Sequence, residues 1–92
     1  MRKVVNGVLC DTDQSTLIAH DRVFDGREWM KRLENKFLYQ TPTGEYFLYI
    51  KKYSPPKKDS IILLSEKGAY NWYYTLPEKV VELKFGDDYE TT

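Results

Sequence analysis

The chain has 92 residues, 41% of them apolar and 15% aromatic, with 14 Lys plus Arg offset by 14 Asp plus Glu. That length holds one domain, 1–92, whose core removes about 65% of the unfolded chain's surface from water. Zero net charge excludes a uniformly basic nucleic-acid binder and a polyanionic DNA mimic, and the apolar content argues against wholesale disorder.

Residues 3–12, KVVNGVLCDT, hold two β-prone runs around Asn6-Gly7. Asn-Gly is the strongest short hairpin signal, because a type I′ turn needs positive φ at both central residues. The turn sets Val5 opposite Val8 and Val4 opposite Leu9. DTDQS (11–15) is turn-like, TLIAHDRVF (16–24) returns to strand character, and Asp25-Gly26 punctuates the chain. Residues 27–35 read two ways. Asp25 with Glu28 has capping-box spacing and Trp29 with Leu33 lies one turn apart, which suits a short helix. KFLYQT follows without a helix stop, and this favours an extended or irregular path.

KFLYQT (36–41) and YFLYIKKY (46–53) flank Pro42-Thr43-Gly44-Glu45 and predict a second hairpin. Alternation puts Phe37 and Tyr39 on one face of the first strand, and on the second sets Phe47 and Tyr49 on one face against Tyr46, Leu48 and Ile50 on the other, so both faces are apolar or aromatic. SPPKKD (54–59) is a loop, since Pro55 and Pro56 lack donors, and SIILL (60–64) is a short buried strand or an extended lead-in. Ser65 is placed as an N-cap with Glu66 in the first turn. Ala69, Trp72, Tyr73 and Leu76 then form a helical stripe. VVELKF (80–85) alternates like a strand, but Thr75 with Glu78, Pro77, and Gly86 as a stop all signal a second helix. The expected fold is α+β: an antiparallel sheet of four or five strands with two short C-terminal helices on one face. Residues 87–92 are expected as a flexible acidic tail.

The chemistry for an enzyme is thin. His20 and Asp21 are neighbours, and strand neighbours point to opposite faces, so they cannot hold the geometry of a base and its orienting acid. Cys10 lies in an apolar hairpin beside Asp11, where the thiolate is disfavoured. It cannot form an intrachain disulfide, and one His with one Cys supplies no zinc set. Asp11, Asp13, Asp21 and Asp25 invite a cation. Asp11-Thr12-Asp13 also opens like an EF-hand loop, but Thr16 and Arg22 occupy the positions that need Gly and Glu, so a plain turn is expected. No apolar run reaches transmembrane length, and the N-terminus has no signal-peptide core. The expectation is a cytoplasmic chain that is not an enzyme, with no cofactor and no membrane partner.

Charge and aromatics are unevenly spread. YFLYIKKYSPPKK (46–58) carries Lys51, Lys52, Lys57 and Lys58 without an acid, while Glu82, Asp87, Asp88 and Glu90 outweigh Lys84 near the end. Tyr is the most abundant aromatic, and Tyr or Trp enrichment marks interfaces, where a rigid ring also carries a polar handle. Tyr70 and Tyr74 lie off the helical stripe and are expected to be exposed. The candidate partner-binding residues are therefore Tyr49, Lys51, Lys52, Tyr53, Lys57, Lys58, Tyr70 and Tyr74. A protein partner, or a second copy of the chain, is the favoured occupant. Single-stranded nucleic acid on the aromatic hairpin and the basic loop 51–58 is the alternative.

Three patches also resemble a family of small accessory proteins from Gram-positive phages and mobile elements. They are Val5-Asn6-Gly7 with Asp11-Thr12; Leu38-Tyr39-Gln40-Thr41 with Gly44-Glu45-Tyr46-Phe47-Leu48-Tyr49; and Leu63-Leu64-Ser65-Glu66 with Ala69, Trp72 and Phe85-Gly86. The second is similar to a LYxTxxGxYFLY hairpin and the third to an LSE helix with downstream Ala and Trp. The chain departs from the pattern at Lys51-Lys52-Tyr53 and SPPKK, where the family has a Gly-rich stretch. The resemblance supplies no catalytic residue. It implies an interaction protein acting on a host protein, including a host-defence effector in the manner of an anti-CRISPR inhibitor.

Overall fold

The computed structural model describes residues 1–22, 34–53 and 58–83. Asn6 (φ 47°) and Gly7 (φ 78°) both take positive φ, and the turn joins β1 (Arg2–Val5) to β2 (Val8–Asp11) with Val5 opposite Val8 and Val4 opposite Leu9. The hairpin forms as the Asn-Gly pair predicts. It does not join the main sheet, however, and stands as a two-stranded sheet of its own.

The main sheet has five strands in the order β6-β5-β4-β3-β7. They are β3 (Thr16–His20), β4 (Glu34–Gln40), β5 (Tyr46–Lys52), β6 (Ser60–Leu64) and β7 (Glu78–Lys79). All of its pairings are antiparallel. The β4–β5 register sets Leu38 opposite Leu48 and Tyr39 opposite Phe47, so the two faces of the hairpin carry different apolar sets. Between the strands, Gly44 (φ 96°) donates its N–H to the Thr41 carbonyl at 3.0 Å and closes the turn.

Each face has its own cover. Ile18, Ala19, Leu38 and Leu48 pack with Ala69 and Tyr73 of α1 (Glu66–Thr75) and with Leu76 just beyond its end. On the reverse face Phe47 and Ile61 pack with Cys10, flanked by Val5, Val8, Tyr39, Tyr49 and Leu63. The molecule is thus helix, sheet and hairpin in three layers, and the apolar character of both β4–β5 faces is the reason. Ser65 caps α1, its Oγ accepting from the Gly68 N–H at 3.1 Å.

The expected second helix is a correction. Glu78–Lys79 instead adds an edge strand to β3, with Ala19 opposite Lys79 and His20 opposite Glu78. The start signals fail for a physical reason. Thr75 belongs to the last turn of α1 and its hydroxyl donates backward to the Asn71 carbonyl at 2.7 Å, so it cannot cap a new helix. The chain leaves extended at Leu76 (ψ 128°). β3 meanwhile offers unpaired backbone: a register shift between Leu17 and Ala19 makes Ile18 the extra residue, and its carbonyl accepts from the N–H groups of Val80 (2.8 Å) and Val81 (3.1 Å). The Tyr73 hydroxyl then donates to the Val81 carbonyl at 3.3 Å and accepts from the Leu83 N–H at 3.1 Å.

SIILL is also only half as expected. It is a strand, but at the sheet edge, with Ile61 buried and Ile62 exposed. Glu34 and Asn35 are strand, matching the extended reading of their segment. The Asp25-Glu28 cap, the Trp29–Leu33 spacing, the Pro55-Pro56 turn, the Phe85-Gly86 stop and the tail 87–92 lie outside the described residues.

Because Leu48 is fully buried between β4 and α1, Leu48→Ala should cost about 2–5 kcal/mol. Tyr73→Phe, which keeps the ring and removes two hydrogen bonds, should cost about 1–3 kcal/mol. Denaturant unfolding of both variants against the parent measures the difference.

Candidate functional site

The predicted partner-binding residues fall on two surfaces, on opposite sides of the main sheet. Tyr49 lies on the face covered by the β1–β2 hairpin, whereas Tyr70 and Tyr74 ride on α1 over the other face.

At the end of β5, Asp59 organises the first surface. Its Oδ2 accepts from the Tyr49 hydroxyl at 2.6 Å and from Lys51 Nζ at 3.3 Å, and its Oδ1 accepts from the Lys52 N–H at 3.1 Å. The Tyr49 hydroxyl and then the Lys52 amide hold the Asp59 carboxyl below its ordinary range, with Lys51 adding less. Tyr49 is pushed well above the ordinary phenol value, first by burial and then by its hydrogen bond to Asp59. Lys51 is therefore partly neutralised by an ion pair. Lys52 and Lys58 are exposed, Tyr53 is 41% exposed, and Lys57 lies outside the described residues.

The aromatics of the β4–β5 hairpin are largely core. Tyr39 stacks on Phe47 with ring centroids 5.2 Å apart and an interplanar angle of 8°, and Phe47 is fully buried. Phe37 lies 5.9 Å from Tyr49 and the same distance from His20. The second surface differs. Tyr74 is 59% exposed, 4.8 Å from the Tyr70 ring and edge-on to Tyr73 at 5.1 Å. Tyr70 is half-buried against the core.

The residues that invite catalysis have structural tasks. His20 Nδ1 accepts from the Arg22 N–H at 3.0 Å. Asp21 Oδ1 accepts from Asn35 Nδ2 (2.9 Å) and the Lys36 N–H (2.8 Å), so the two neighbours do serve different directions. Asp11 Oδ1 accepts from the Asp13 N–H at 2.9 Å and closes a plain turn. Burial, and then the charge of Glu45, raises the Cys10 thiol. Among the described residues no group of three His, Cys, Asp or Glu could hold a metal ion, and no helix is long and apolar enough to cross a membrane.

Two features escape the sequence reading. One is the exposed Ile62 on β6, whose outer side no strand pairs with among the described residues. The other is a cleft of about 460 Å³ between the first hairpin and the β4–β5 turn, lined by Val8, Leu9, Pro42, Asp11, Ser15 and Glu45 among others. Glu45 Oε2 accepts from Thr43 Oγ1 at 2.5 Å and Thr41 Oγ1 at 2.8 Å. These hydroxyls, Thr43 first, keep its carboxyl below the ordinary range. Ser15 Oγ is buried there with no hydrogen-bond partner among the described residues. Nothing in the primary order brings Asp11 and Ser15 to Glu45.

Comparison with protein-family models, with curated proteins and with solved structures finds no match for this chain.

The sign of the Asp59–Tyr49 pairing sets a pH window. Asp59 stabilises the fold above its unfolded value of about 3.9, and this is lost as pH falls through its lower folded value. The Tyr49 contribution is present below about 10 and is lost as pH rises toward its raised folded value. Tyr49→Phe should therefore return the Asp59 carboxyl toward its ordinary range and flatten the alkaline decline. Carboxyl NMR titration and unfolding as a function of pH read the two effects separately.

Proposed function

We propose that the chain is a non-enzymatic protein-interaction module, with the Tyr70–Tyr74 side of α1 facing the partner. The observation that supports it most is Tyr74: a large ring 59% exposed, yet held between Tyr70 and Tyr73. A ring already ordered loses little rotamer entropy on binding, which is what an interface anchor requires. Following the motif resemblance, the partner is a cytoplasmic host protein of the cell a phage or mobile element enters. A host-defence effector, inhibited as anti-CRISPR proteins inhibit theirs, is the sharpest form of that reading.

Single-stranded nucleic acid is the second reading, supported by exposed Lys52, Lys58 and Tyr53 around one loop. Against it, Asp59 engages Lys51, and Phe47 is buried rather than offered for stacking.

Quantitative capture from host lysate should fall about tenfold or more for Tyr74→Ala, the loss of an anchoring ring. Stability should fall by less than about 1.5 kcal/mol. Lys52→Ala with Lys58→Ala should leave capture unchanged. Salt-dependent binding of a labelled oligonucleotide, abolished by that lysine pair and indifferent to Tyr74→Ala, would reverse the ranking.

A further inference from the structure

The two edges of the main sheet are built differently. β7 is two residues long and both are charged, Glu78 and Lys79, the usual protection against edge-to-edge pairing. β6 is five residues, SIILL, without a charge or a proline. Among the described residues no strand pairs with its outer side, and Ile62 at its centre is 46% exposed. An edge of this length and polarity has unpaired backbone donors and acceptors beside apolar side chains.

We infer that β6 is a self-complementary edge through which two copies of this chain pair antiparallel about Ile62, joining two five-stranded sheets into one. Charge selects the direction, and strand length the register. With Ile62 opposite its own copy, Ile61 faces Leu63 and Ser60 faces Leu64, so all five residues of β6 pair, and the Lys58 end of each strand lies beside the other copy's α1 start at Glu66. Lys58 and Glu66 are both exposed and lie beyond the two ends of the strand. Parallel pairing would instead set Lys58 against Lys58 and Glu66 against Glu66. Moving the centre to Leu63 would run the pairing past the end of β6, leaving Ser60 and Ile61 without strand partners. A two-fold axis perpendicular to the sheet also keeps like faces together: Ile61 and Leu63 extend the layer beneath the hairpin, and Ile62 stacks on Ile62 on the helix side. The inference uses no residue of the α1 aromatic surface, so it and the proposed partner site stand or fall separately.

Sedimentation equilibrium of the full chain over a concentration series tests it. The parent should show a monomer–dimer equilibrium, and Ile62→Lys should be monomeric throughout with an unchanged circular dichroism spectrum. Lys58→Glu should weaken the dimer roughly tenfold by setting like charges together, and Lys58→Glu combined with Glu66→Lys should recover it. Ile62→Cys should give a covalent dimer under mild oxidation, since directly opposed Cβ atoms lie about 4.5–5.5 Å apart and the native Cys10 is fully buried. A parent that stays monomeric at its highest soluble concentration overturns the inference. So does a dimer that Ile62→Lys leaves intact.

Discussion

The β4–β5 hairpin is the constraint on which the rest of the structure depends. Leu38 and Leu48 are fully buried on one face, and Phe47 is fully buried on the other. A strand pair apolar on both sides cannot leave either face to water, so the chain must supply two covers. It does so with its opposite ends: the N-terminal Asn-Gly hairpin takes the aromatic face and α1 takes the aliphatic one. Aromatic surplus in a short chain thereby becomes a three-layer core, where the composition alone could equally have been an exposed stacking platform.

Around that hairpin, a few polar groups set where the surfaces lie. Asp21 accepts from Asn35 and Lys36 and ties the end of β3 to the start of β4. Asp59 ties the start of β6 to Tyr49, Lys51 and Lys52 of β5. Tyr73 reaches from α1 to residues 81 and 83, and the Lys79 ammonium lies 5.2 Å from its ring centroid. Each acceptor or donor satisfies backbone groups that the bulged β3 edge or a strand end would otherwise leave unpaired. The consequence for recognition is separation. Lys51 is ion-paired with Asp59, while Tyr74 stays exposed beside Tyr70 on the helix.

Much of the architecture is legible in local pattern. Asn6-Gly7 sets its turn because only residues tolerant of positive φ fit there, and period two in 46–50 correctly separates Phe47 and Tyr49 from Leu48 and Ile50. Ser65 and the Ala69–Tyr73–Leu76 spacing set the helix and its buried side. Of the two helix tyrosines expected to be exposed, Tyr74 is and Tyr70 is half-buried, because Tyr70 packs against the core. The division of the predicted partner residues between two faces is visible only once both covers are in place. The failed helix-start signals share one cause. Thr75, Pro77 and Glu78 carry valid helix-start signals, but those signals describe a chain with no neighbour, and the bulged edge of β3 is a neighbour with acceptors to offer.

Sequence by itself therefore determines the α+β class, both hairpins and the first helix. Each of these depends on contacts between residues a few positions apart. Tertiary structure alone decides that the first hairpin is a separate layer, that 78–79 is a strand, that Asp59 engages Tyr49, Lys51 and Lys52 of β5, and that Ile62 sits on an edge where no strand pairs among the described residues. Those outcomes depend on which backbone groups remain unpaired after the sheet has formed, and strand order, set by long-range packing on two faces, is what leaves them so.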